Sequence, residues 1–109
     1  MAKLPPVFEL HVFLATGVAE GVKAAGGAAS AGKRYSLLIF SRQAEGTAAD
    51  KRRAREGAAS AGWKEIKLER SKVIPAREAP ADPTLKAAFD EALRDGCAVV
   101  AYRKPLAPA

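Results

Sequence analysis

The chain has 109 residues, one cysteine and a formal net charge of +6. That length suits a single domain, and a lone Cys97 excludes an internal disulfide. The aromatic fraction is only 6%, and alanine makes up roughly a quarter of the residues, so the core must rest on small and aliphatic side chains.

Two further classes are set aside by composition. No apolar stretch approaches the roughly 20 residues of a membrane span. The apolar N-terminal run is opened by Pro5 and Pro6 and broken by Glu9 and His11, against a signal peptide. A cytoplasmic protein is therefore the expectation. The basic balance favours anionic partners, either nucleic acid or an acidic protein.

Val7 to Ala15 alternates as a strand. Its Phe8, Leu10, Val12 and Leu14 face is purely apolar and should meet the core; the Glu9, His11 and Phe13 face is mixed and should be exposed or lie at an interface. Thr16 to Lys33 reads as a short helix capped by Thr16, followed by a flexible Ala/Gly-rich segment near 24–33, or as one long hairpin loop. Arg34 to Arg42 is apolar on both sides, with Tyr35, Leu37 and Ile39 against Leu38 and Phe40. Such a strand belongs inside a sheet, covered on both faces.

Thr47 is placed to cap a helix with Asp50 at its third position, and Ala54, Ala58 and Ala61 form a narrow seam. Gly62 stops that helix, and Trp63 is set to fold back on it. Lys64 to Ile74 is a third strand with Ile66 and Leu68 inward, but Arg70 and Lys72 continue the same phase. That face must leave the core near Arg70. Asp82 caps the last helix with Pro83 at its first position. Leu85, Ala88, Phe89, Ala92 and Leu93 give it an apolar stripe, and Gly96 ends it. Cys97 to Arg103 is a fourth, short strand.

This order predicts one α+β domain over residues 1–104 with a disordered tail at 105–109. The expected form is a two-layer sandwich, a sheet of about four strands with two main helices on one face. A ferredoxin-like arrangement is the nearest superfold.

The chemistry is thin. Gly27 to Arg34 follows most of the phosphate-loop pattern, but Arg34 stands where a hydroxyl must hold magnesium, and the segment leads into a strand rather than a helix. One His and one Cys cannot supply a metal-ligand set, so no metal, cofactor or catalytic residue is expected. Cys97 as a nucleophile with His11 as its base is the weakest alternative, because Cys97 opens an apolar strand. Lys51, Arg52, Arg53 and Arg55 form a candidate anion-binding helix face, which Lys64, Lys67, Arg70 and Lys72 would extend. The sheet face away from the helices, carrying His11, Phe13, Phe40 and Tyr102, is the candidate interface. The leading expectation is a non-enzymatic protein that self-associates through that face as a homodimer. The second is a nucleic-acid-binding module using the 51–55 helix.

Overall fold

The structure is a computed structural model that describes residues 8–20 and 32–102. The segment near 24–33, apart from Gly32 and Lys33, and the 105–109 tail lie outside the described residues. Six elements follow in order: β1 (Phe8–Ala19), β2 (Arg34–Ala44), α1 (Lys51–Ser60), β3 (Trp63–Pro75), α2 (Pro83–Asp95) and β4 (Cys97–Ala101). The strands form one four-stranded sheet in the order β3-β1-β2-β4, with each neighbouring pair antiparallel. The fold is α+β, a sheet with two helices packed on it.

β1 and β2 are antiparallel neighbours paired from Phe8↔Ala44 to Val18↔Arg34. Thr16, expected as a helix cap, lies within β1. A helical crossover between these strands would have made them parallel, so the ferredoxin-like comparison holds for the class and not for the order of connections. β3 runs antiparallel to β1 and hence parallel to β2, and α1 carries the chain across β1 between them.

Each helix makes its own helix-on-sheet layer, and the two draw on alternate strand residues. Ala54 and Ala58 of α1 pack with Phe13, Ala15, Tyr35, Leu37, Ile39 and Trp63. Ala88, Phe89 and Ala92 of α2 pack with Leu10, Phe40 and Ala98. Neighbouring residues of a strand point to opposite faces, so α1 sits on one side of the sheet and α2 on the other. The placement of both helices on a single face is thereby corrected. β2 had already required cover on each side, and each large apolar side chain it buries is worth roughly 1.5–3 kcal/mol.

The face of β1 that looked mixed is the more deeply buried. Glu9, His11 and Phe13 are 7%, 2% and 1% exposed, because α1 and the turn before it lie over them. The cap of α1 is Asp50 rather than Thr47, its side chain accepting the Arg53 N–H at 3.0 Å. Gln43 sets that boundary. Its Nε2 donates to Thr47 Oγ1 at 3.0 Å and to the Ala48 carbonyl at 2.7 Å, and its Oε1 accepts the Asp50 N–H at 2.9 Å. Residues 47–49 are thus held outside the helix. α2 starts and stops as its sequence indicates. Asp82 Oδ1 accepts the N–H groups of Thr84 and Leu85, and Gly96 ends the helix at φ 99°.

α1 approaches the sheet so closely that a methyl group on Gly57 would meet Cys97 Sγ. Glycine here costs helix propensity and gains proximity. Gly57→Ala should lower stability by about 1–2 kcal/mol in urea unfolding, overpacking outweighing the gain of about 1 kcal/mol in helix propensity. A Cys97→Ala background should shrink that loss. A stabilised Gly57→Ala protein would refute the close approach.

Candidate functional site

The feature that sets this chain apart lies along β3. Its register against β1 pairs Val12 with Lys72, Leu14 with Arg70, Thr16 with Lys67 and Val18 with Lys64. Opposed residues on antiparallel strands share a face. All four cations therefore stand on one side of the sheet, the side that α2 packs against. In a regular strand Lys67 would face away from the other three. Two register shifts prevent this, one opposite Leu14/Ala15 and one between Thr16 and Val18. The residues that lose their register partners include Glu65 and Glu69, so both acids of the strand occupy bulges. Glu65 adopts φ 49°, the one positive φ of a non-glycine among the described residues. Its left-handed backbone costs on the order of 1 kcal/mol.

The bulges also resolve the phase conflict of β3. Ile66 and Leu68 turn to the α1 side, where they pack against the core, while Lys64, Lys67, Arg70 and Lys72 remain exposed on the other. Opposing alternate residues of β1, the four residues have backbone positions about 6–7 Å apart along a line of about 20 Å.

α2 covers one part of this side, over Leu10, Phe40 and Ala98, with Val12, Leu38, Ile74 and Val100 packed at the margin of that cluster. Beyond it, Leu14, Thr16 and Ser36 form a half-buried floor that neither helix cluster includes among the described residues. Tyr102 continues β4 alongside Ser36, to whose carbonyl it donates at 3.0 Å, and is 51% exposed. Arg34 adds a fifth cation. Its Nη1 donates to Thr16 Oγ1 at 2.9 Å and to the Glu65 carbonyl at 3.0 Å, so the guanidinium is stretched across β1 to a bulge of β3. A carboxylate at this surface is Glu20, 3.6 Å from Lys64. The pair is exposed and contributes little binding energy of its own.

The residues singled out from sequence are distributed differently. Of the four candidate interface residues only Tyr102 is exposed; His11, Phe13 and Phe40 are 2%, 1% and 1% exposed and are buried within one chain. Lys51, Arg52, Arg53 and Arg55 are all exposed on α1, and Arg52 is paired with Glu56 at 3.1 Å. They lie across the sheet from the β3 cations, so the two sets do not merge into one patch. What sequence reasoning missed is the bulge pair. Its one visible sign was the run in which Ile66 and Leu68 share a phase with Arg70 and Lys72.

Cys97, Ser41, His11 and Val73 form a cross-strand row on the α1 side. Its chemistry is muted. His11 Nε2 is 3.5 Å from Glu9 Oε2, beyond good hydrogen-bond length. Glu9 Oε1 accepts the Gly46 N–H at 2.6 Å, and Ser41 Oγ has no hydrogen-bond partner among the described residues. Burial pushes the Cys97 thiol up, Glu91 adds to the rise, and Arg53 opposes it. A thiol with a raised pKa is a poor nucleophile at neutral pH. Among the described residues no three His, Cys, Asp or Glu side chains are grouped to hold a metal, and no helix is long and apolar enough to cross a membrane.

No protein-family model matches the chain, and neither the curated proteins nor the solved structures include a match.

The Cys97 environment gives a direct expectation. Native protein at neutral pH should react with Ellman's reagent far more slowly than the urea-unfolded chain. A raised folded pKa contributes stability below the ordinary value of 9.0 that is lost as pH rises through the folded value. Unfolding should therefore become easier in alkali, and Cys97→Ala should remove that part of the pH dependence. Fast native labelling would contradict the burial.

Proposed function

We propose that the chain is a non-enzymatic module that binds single-stranded nucleic acid across the open side of its sheet. The observation that carries this reading is the alignment of Lys64, Lys67, Arg70 and Lys72 on one face, with Arg34 beside them and Glu20 paired with Lys64 at its margin. A linear row of cations at the spacing of alternate strand residues matches a ligand whose negative charges also repeat along a line. Single-strand binders combine such a row with aromatic stacking platforms, and Tyr102 supplies one exposed ring on this face. One ring and a row of flexible lysines favour backbone contact over base reading, so the module is expected to tolerate sequence.

Self-association face to face is the weaker reading of the same surface. A second copy would bring its own cations against these, and like charges set together at an interface oppose binding. The α1 cations belong to the other side of the molecule and serve at most a separate, weaker contact. A cytoplasmic location goes with a nucleic-acid ligand.

Fluorescence anisotropy with labelled oligo-uridine and oligo-thymidine tests the proposal. Binding should be micromolar at low salt. With about five cations engaged, log K should fall against log salt with a slope of about −3.5. Lys67→Glu with Arg70→Glu should abolish binding, and Arg52→Glu with Arg53→Glu should leave most of it. The reading fails if no binding is seen at low salt, or if only the α1 pair matters.

A further inference from the structure

The two edges of the sheet are built in opposite ways. β3, at one edge, has charged residues along much of its length and is interrupted by two bulges, devices that discourage another strand from adding. β4, at the other edge, is Cys-Ala-Val-Val-Ala, with no charge, no proline and no bulge.

The hydrogen bonding of β4 shows which of its groups face outward. Tyr102 N–H donates to the Ser36 carbonyl, and Arg42 N–H donates to the Gly96 carbonyl. These bonded pairs alternate along an antiparallel ladder. Ala98 and Val100 therefore direct their main-chain groups to β2, opposite Phe40 and Leu38. The N–H and C=O groups of Cys97, Val99 and Ala101 point away from the sheet, and no described residue hydrogen-bonds to them.

We infer that β4 is an association edge and that its occupant is the β4 of a second copy, paired antiparallel about a two-fold axis at Val99. The chemistry required is an uncharged extended strand offering the same donors and acceptors in reverse order, which β4 itself supplies. In that pairing Cys97 meets Ala101 of the second copy, and Val99 meets its own counterpart. Among the described residues each molecule has one unguarded edge, so the isologous contact consumes it and assembly closes at two. Residues opposed across the new pair share a face, so the open sides of both copies look the same way and the β3 cations border one eight-stranded surface. The inference does not depend on nucleic-acid binding, since the edge and the open face are different surfaces.

Sedimentation velocity of the full chain at tens of micromolar tests it. The wild type should sediment as a dimer with no larger species. Val99→Pro deletes an outward N–H without removing a β2–β4 hydrogen bond and should give a folded monomer, checked by circular dichroism. Ala101→Pro provides the same test at the strand end, where little core packing is at stake. A monomeric wild type, species larger than two, or a folded proline variant that stays dimeric would overturn the inference.

Discussion

The fold depends on β2 being apolar on both sides while lying inside the sheet. Tyr35, Leu37 and Ile39 need cover on one side, Leu38 and Phe40 on the other. The chain meets this with two unlike helices. α1 approaches closely because Ala54, Gly57 and Ala58 present almost no side chain. α2 stands off on the larger Phe89. Neither helix matches the sheet in length. A 13-residue helix such as α2 spans about 20 Å, whereas a 12-residue strand such as β1 spans about 40 Å. Among the described residues, part of the α2 side is therefore left without a helix for a simple geometric reason, and the β3 cations border that part.

Much of this architecture was legible because local signals and tertiary demands agreed. Asp82, Pro83 and Gly96 delimit α2, and its apolar stripe is the face that packs. The two-sided character of β2 required cover on both faces, and intramolecular helices supply it where a partner had been expected. Other features depended on contacts that no local pattern encodes. Thr47 is a good capping residue, yet Gln43 engages it and the cap passes to Asp50. Glu9 and His11 looked solvated, yet the turn at Gly46 folds onto Glu9 and closes that face. Alternation made the apolar side of β1 the obvious inward one, because it could not weigh a strand packed on both sides.

The candidate site was the least legible part, since it depends on backbone irregularity. Alternation in β3 put Lys67 with Glu65 and Glu69, and put Arg70 and Lys72 with Ile66 and Leu68. Neither face would then have been coherent. Two bulges exchange that conflict for one apolar side and one cationic side. The cost at Glu65 is on the order of 1 kcal/mol. Burying Ile66 and Leu68, even in part, offsets it, as full burial of one such side chain contributes roughly 1.5–3 kcal/mol. The sorting of charge thus accompanies the burial of the strand's two inward residues.

That sorting has an electrostatic consequence. Unit charges about 6–7 Å apart in water repel by about 0.6 kcal/mol per pair before screening, and the separation is within a Debye length of about 8 Å at physiological salt. The repulsion is too small to unfold a strand anchored to β1 along most of its length, but it accumulates along the row. Arg34, held by Thr16 and the Glu65 carbonyl, adds a charge whose position is fixed. Glu20 neutralises only the Lys64 end. The unliganded surface thus retains repulsion that a linear polyanion would relieve at several positions at once. A compact anion would reach only one or two of them. Pairing through β4 would border one surface with two such rows at opposite edges, keeping their mutual repulsion low while doubling the charge offered to a ligand.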